Sequence, residues 1–191
     1  MKKTFLVFLF ILSISHCTTI DFLKYGERTA TFKVKEHTIE INGLLGKEAY
    51  KRLKKTLQKH PNITTLVLMD VPGSIDDEYN LKMGRMVYDA KLRTVLTSTS
   101  VIASGGVDFF LSGQNRHIEK GAKIGVHSWT DRTVEANNLS KLDTAHHLFL
   151  DYYNYIDVDT AFYWFTLEAA PADDIHWMTQ EEIEYYKFQS K

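Results

Sequence analysis

From residue 30 the chain alternates apolar and polar side chains in "ATFKVKEHTIEING". That alternation predicts one or two strands turning near Glu36–His37. The next stretch, "LLGKEAYKRLKKTLQKHP", spaces Leu45, Ala49, Leu53 and Leu57 four apart, which predicts an amphipathic helix ending before Pro61. "ITTLVLMD" is a continuous β-branched and apolar run, the pattern of a strand covered on both faces. After the turn "VPGS", the segment "DDEYNLKMGRMVYDAK" reads as a helix with acidic residues in its first turn, where the helix dipole favours them. Asp76, Asp77 and Glu78 are read in that role rather than as a cation site.

"RTVLTSTS" predicts another strand, and "SGGVDFFLSG" a short helix ending at Gly113. "RHIEKGAKIGVHSW" holds two strands around a glycine turn, the second ending near His127. A polar loop over 130–143 follows. "TAHHLFLDYYNYI" and "TAFYWFTLEAA" read as two aromatic-rich helices, whose rings suit core packing and an oligomer face better than a substrate groove. The last helix opens on a capping box of Thr179 and Glu182. Strands alternating with helices predict an α/β domain with a largely parallel sheet.

The first residues have a different pattern. "MKK" is a short positive stretch, "TFLVFLFILSI" an apolar run too short to span a bilayer comfortably, and "SHCTT" follows where cleavage would occur. Residues 1–17 are therefore read as a secretory signal of bacterial style, and 18–191 as a single domain. Cys17 is the one cysteine of the chain, so no internal disulfide forms. Its position after the apolar run is that of the lipid-modified cysteine of bacterial lipoproteins, although His16 stands where that pattern has a small residue. A lipoprotein in the periplasm or envelope membrane, a plain exported protein and a retained N-terminal anchor are the three readings.

Composition narrows the class. With 44% hydrophobic and 13% aromatic residues among 191, the chain can build a core, which excludes intrinsic disorder. The formal charge is −1, and losing Lys2 and Lys3 with residues 1–16 takes it to −3. No basic stripe marks a nucleic-acid partner. The basic run over 47–60 is interleaved with apolar residues at helical spacing and reads as a solvated helix face. No glycine-rich phosphate loop is present, and the adjacent His146 and His147 lack the spacing of a helical metal pair. No cofactor or metal is expected.

In open α/β sheets, chemistry collects where strands end and helices begin. Three such places carry suitable residues. The turn "DVPGSIDD" can present free backbone N–H groups to an anion or oxyanion. Ser104, in "ASGG", is either a helix N-cap or a nucleophile. Gly105 and Gly106 are poor helix formers, each costing about 1 kcal/mol against alanine, so something must approach that backbone closely. The approach is by a substrate or by tight helix–strand packing. His127, ending "AKIGVHSW", is either structural or a general base for a nearby hydroxyl. Asp173 and Asp174 are candidates to hold its tautomer. Asp108, four residues after Ser104, is either a surface carboxylate or a group that orients the loop around it.

"VPGS", "ASGG" and "GVHSW" fall in the order and spacing of the Clp protease proteolytic subunit family, within the Clp/crotonase superfamily, which this chain resembles over roughly residues 63–188. It is similar more closely to predicted exported proteins with Clp-like domains that share "PGS.D", "SGG.D.FL.G" and "HWMT..E". The resemblance implies a β-β-α superhelix, with Ser104 as nucleophile and His127 as base. It further implies an oxyanion hole from the backbone N–H groups of Ser74 and Gly105. Ser74 replaces the family's second glycine, a change that leaves a backbone donor in place. For the acid, an ungapped match places Ile175 on the family's aspartate, and a one-residue shift gives Asp174 (or Asp173). A Ser–His dyad is the alternative.

The expected function is thus an exported Clp-like serine peptidase acting on a peptide or protein. The alternative is a non-catalytic envelope binding or assembly protein that keeps the fold. Crotonase-like thioester chemistry fits the export signal poorly. Self-association of the homo-oligomeric kind seen in the superfamily, and membrane attachment through Cys17, are the partner expectations.

Overall fold

The computed structural model describes residues 29–131 and 133–190. The segment 1–17 expected to be a secretory signal, Cys17 included, lies outside the described residues. The alternating stretch forms a hairpin of β1 (Thr31–Lys35) and β2 (Thr38–Asn42), turning at Glu36, whose φ of 48° is left-handed. Helix α1 (Lys47–Lys59) follows and turns Ala49 and Leu53 into the core. Leu45, part of the predicted helical pattern, is buried but precedes the helix and pairs with Ser74 in an isolated bridge. Strand β3 (Thr65–Val71), helix α2 (Asp77–Asp89), strand β4 (Arg93–Ala103) and helix α3 (Gly105–Leu111) continue the alternation. Then come β5 (Asn115–Ile118) and β6 (Lys123–Val126). Helices α4 (His147–Tyr155) and α5 (Ala161–Ala169) precede the short β7 (His176–Trp177) and α6 (Gln180–Tyr185).

The described strands form one seven-stranded sheet in the order β1-β2-β3-β4-β6-β7, with β5 also on β4. β2 to β6 run parallel, and β1 and β7 close the two edges antiparallel. β4 pairs with β5 over Arg93–Leu96 and with β6 over Val101–Ala103. A register irregularity makes this possible. Between Leu68↔Leu96 and Asp70↔Val101, two steps along β3 match five along β4. Ser100 repairs the interrupted ladder, donating its hydroxyl to the Leu68 carbonyl at 2.6 Å and accepting the Thr97 N–H at 2.9 Å. The bulge redirects the second half of β4 toward β6.

The core lies between the sheet and α1–α3, and the same hydrophobic cluster extends into α4 and α5. There Tyr152, Tyr153, Phe162 and Tyr163 are almost fully buried, so the aromatic helices pack as core. The capping box on α6 is present, with Thr179 Oγ1 accepting the Glu182 N–H and the Glu182 carboxylate accepting the Thr179 N–H. β7 was not apparent in the sequence, because two residues are too short to show a period. Among the described residues, no helix is long and apolar enough to cross a membrane.

The tight packing of α3 against β3 makes a direct prediction. A Cβ on Gly106 would sit 2.3 Å from the carbonyl oxygen of Val71, a backbone atom that cannot turn aside. In an open helix an alanine would stabilise by about 1 kcal/mol. Here Gly106→Ala is expected to destabilise by about 3 kcal/mol, read as a lower midpoint in urea denaturation. An unchanged or higher midpoint would contradict the close approach.

Candidate active site

β3, β4 and β6 are neighbours and parallel, so their C-terminal ends meet at one edge of the sheet. β3 runs into Pro72-Gly73-Ser74, β4 into Ser104, and β6 into His127. The Ser104 N–H donates to the Gly125 carbonyl at 3.0 Å and ties the end of β4 to β6 two residues before His127. Gly73 lies against the same serine: a Cβ there would stand 3.3 Å from Ser104 Cβ.

Ser104 occupies the N-cap position of α3, but its side chain makes no capping hydrogen bond. Its backbone has φ 50° and ψ −130°. A non-glycine residue in such a region costs on the order of 1–3 kcal/mol, and strain of this kind concentrates at functional sites. The Oγ has no hydrogen-bond partner among the described residues. The following glycine is required by close approach: a Cβ on Gly105 would lie 2.5 Å from Ser74 Oγ and 2.8 Å from Asn80 Nδ2. Asn80, fully buried on α2, donates from Nδ2 to the Gly105 carbonyl at 2.8 Å. Packing against α2 and its leading turn therefore accounts for the glycine pair. It also sets the Ser74 and Gly105 backbones side by side. Among the described residues, neither the Ser74 nor the Gly105 N–H has an acceptor.

The His127 ring lies with Nδ1 2.7 Å from the Ser128 carbonyl oxygen. A carbonyl only accepts, so Nδ1 carries a proton, and in the neutral ring Nε2 is the nitrogen with the lone pair. No hydrogen bond joins this ring to Ser104 Oγ. One cleft of about 690 Å³ holds Ser74, Ser104, His127, Asp173 and Asp174, together with Asp77 and Glu135. The two C-terminal aspartates are exposed at its mouth. The Asp174 carboxylate accepts the Ile175 N–H at 2.7 Å, and neither aspartate is hydrogen-bonded to His127. The orienting contact on the imidazole is the Ser128 carbonyl.

A small recess of about 40 Å³ shares Asp77, Ser104, His127 and Trp129 with the cleft and is also lined by Asp108, Val107, Phe149 and Tyr153. Asp108 keeps some surface toward this recess, yet protein atoms enclose its carboxyl group. Burial pushes its pKa up to about 7, with the charge of Asp77 adding to the rise and the hydrogen bond from the Tyr153 hydroxyl opposing it. Tyr152 donates to the Asp108 carbonyl oxygen at 2.8 Å. Sequence reasoning left Asp108 between a surface and an orienting role and read Asp77 as an acidic residue of a helix first turn. Only position after "PGS" marked Asp77 out, and the sequence alone did not reveal that the first turn of α2 faces the cleft. Among the described residues no group of His, Cys, Asp and Glu is arranged to hold a metal ion. His146 is instead buried, with Nδ1 2.7 Å from the Tyr163 hydroxyl and Nε2 3.1 Å from the Ser140 carbonyl oxygen.

No protein-family model and no curated protein matches this chain in sequence. Solved structures do match it in fold. It is similar to a mutant of the 1510-N membrane-bound stomatin-specific protease in complex with a substrate peptide, with a TM-score of 0.53 and 14% identity over 79% of this chain and 71% of that one. A Streptomyces coelicolor A3(2) protein assigned as an enoyl-CoA hydratase gives 0.52 and 15%, over 85% and 66%. A methylmalonyl-CoA decarboxylase gives 0.52 and 11%, over 84% and 65%. The neighbours thus include a protease and coenzyme A enzymes, and the chain has the fold they share, the Clp/crotonase fold.

The buried acid predicts a pH effect on stability. Asp108 holds its proton up to about pH 7 in the folded chain, against 3.8 for an ordinary aspartate. Over that interval the folded state binds more protons than the unfolded state, so the contribution of Asp108 to stability falls as pH rises and levels off above it. Asp108→Asn keeps an acceptor for Tyr153 and removes the titration. Denaturation free energies measured from pH 4 to 8 are expected to show the wild type losing stability relative to Asp108→Asn as pH rises. Parallel curves would contradict the assignment.

Proposed function

We propose that this Clp/crotonase-fold chain is an exported serine hydrolase acting on peptide bonds. The observation that carries the reading is Ser104: a serine held in left-handed backbone geometry at a strand–helix junction, its hydroxyl uncommitted, in one cleft with His127. Ser104 Oγ attacks the substrate carbonyl carbon while His127 Nε2 takes its proton. The Ser74 and Gly105 N–H groups receive the negative oxygen. The tetrahedral intermediate collapses as His127 returns the proton to the leaving amine, leaving an acyl-Ser104 ester that water hydrolyses by the same base. Productive alignment requires Ser104 Oγ and the ring to move into hydrogen-bond reach, a closure that substrate-free sites commonly lack.

In this reading Ser128 supplies the orienting oxygen, and the working group is a Ser–His dyad. Asp174 (or Asp173) would complete a triad only through movement of the 171–175 turn. Export rests on the segment 1–17, with Cys17 as the lipid-bearing residue that attaches the chain to a membrane. A mass shift of lipid size on the N-terminal peptide tests that part. A homo-oligomer is likewise proposed from the fold, and sedimentation tests it.

A second reading is favoured by a specific observation: no hydrogen bond links Ser104 to His127, and among the described residues no carboxylate binds the ring. A non-catalytic envelope binding or assembly protein would retain the fold in that state. Labelling by a fluorophosphonate probe separates the two. The wild type is expected to label and Ser104→Ala not at all, while His127→Ala slows labelling by about 10²-fold or more. With the ring held by Ser128, Asp173→Asn and Asp174→Asn each retain labelling within about tenfold of wild type. A folded wild type that does not label sinks the hydrolase reading, and a loss in Asp174→Asn equal to that in His127→Ala restores the triad.

A further inference from the structure

Five acidic side chains share the cleft or its recess with His127, and they come from four parts of the fold. Asp77 opens α2, Asp108 lies on α3, Glu135 in the loop after β6, and Asp173 and Asp174 in the turn before β7. Neither lysine nor arginine is among the described residues lining these spaces. The five are not equivalent. Asp173 and Asp174 are exposed, so water screens them. Glu135 accepts the Ala172 N–H at 3.0 Å and braces the loop. Asp108 faces the recess and is held by Tyr153.

Asp77 differs from all of these. It is half-buried and lines both the cleft and the recess, with Ser104 and His127 beside it in each. Its carboxylate is fixed by the Ser74 hydroxyl, which donates to Oδ1. It therefore stands at the first turn of a helix, locked to the loop that carries one proposed oxyanion donor. Burial raises its pKa above the usual carboxylate range, while the Ser74 hydrogen bond and the charge of His127 act the other way.

Resting on the Ser104–His127 reading, we infer that Asp77 is the positioning carboxylate of this site, a fixed counter-charge for the imidazolium that forms on His127. As Ser104 Oγ bonds to the substrate carbon, its proton passes to His127 Nε2. The ring becomes cationic in a partly enclosed space, and Asp77 balances that charge without gaining or losing a proton. The role filled in many serine hydrolases by a carboxylate on the distal ring nitrogen is divided here. The Ser128 carbonyl sets the tautomer, and Asp77 supplies the charge.

The test is the titration of the His127 ring, followed by NMR in the full folded chain. Asp77→Asn keeps an acceptor for Ser74 and removes only the charge; it is expected to move the midpoint of the ring titration to lower pH. Asp173→Asn and Asp174→Asn, with their charges in water, lower it less. Ser74→Ala removes the hydroxyl and leaves the charge, so the pKa stays with the wild type. Asp77→Ser, which also suits a helix first turn, serves if Asp77→Asn does not fold. A shift in the Asp77 variant no larger than in Asp173→Asn or Asp174→Asn overturns the inference. So does an equal shift in Ser74→Ala, because the effect would then come from the shape of the turn. In fluorophosphonate labelling, Asp77→Asn should slow the reaction and move its acidic midpoint down with the His127 pKa. If the wild type fails to label, the hydrolase reading falls, and the ring titration still decides whether Asp77 is the partner of His127.

Discussion

The bond from the Ser104 N–H to the Gly125 carbonyl holds the cleft together. It fastens the end of β4 to β6 where β4 turns into α3, at a serine whose φ is positive. A turn this sharp survives only if the next residues add no bulk. Gly105 lies against Ser74 and Asn80, and Gly106 against the Val71 carbonyl, at distances that no side chain tolerates. The same contacts bring the post-β3 turn and the start of α3 together, so the two unpaired amides belong to one packing solution. The bulge in β4, repaired by Ser100, is the other half of it: without that redirection β4 would not reach β6.

The aromatic helices support the histidine from the other side. Trp129, two residues after His127, stacks on Phe149 with ring centroids 5.9 Å apart and donates from Nε1 to the Tyr163 hydroxyl at 2.9 Å. Tyr163 in turn bonds His146, whose other nitrogen faces the Ser140 carbonyl. Because that carbonyl only accepts, Nε2 of His146 carries its proton and Nδ1 receives the Tyr163 hydroxyl. Indole, phenol and imidazole thus form a directed chain that anchors the loop after β6. Ser128 adds a backbone tie, its N–H on the Ala170 carbonyl at 2.9 Å. Apart from providing core, α4 and α5 hold the 127–129 segment against the end of the sheet.

The electrostatic character of the cleft follows from the same packing. Helix first turns accumulate acidic residues for local reasons, and Asp76 serves α2 in that way, accepting the Tyr79 N–H at 3.1 Å. Asp77, one residue on, faces the cleft because the turn is pinned to Gly105. Asp108, on the first turn of α3, faces the recess and is enclosed by tyrosines. A negative environment around the His127 ring would suit a base that must carry positive charge during a reaction.

Apart from the two-residue β7, the sequence alone determined the main elements and their order, because period-2 and period-3.6 patterns, the capping box and the glycine and proline turns are local signals. It also marked Ser104, Ser74 and His127 as residues at strand ends, and the parallel alternation implied that such ends gather at one edge. It could not decide whether Ser104 is a cap, since capping depends on the direction of a side chain, and here the side chain makes no capping bond. It could not separate packing from substrate access as the reason for Gly105 and Gly106; distances to Ser74, Asn80 and Val71 decided for packing. Likewise, motif matching pointed to Asp174 for the imidazole. The tertiary structure puts the Ser128 carbonyl on Nδ1 and brings Asp77, as well as Asp173 and Asp174, into one cleft with the ring, because which groups surround a ring depends on how distant segments pack and not on spacing along the chain.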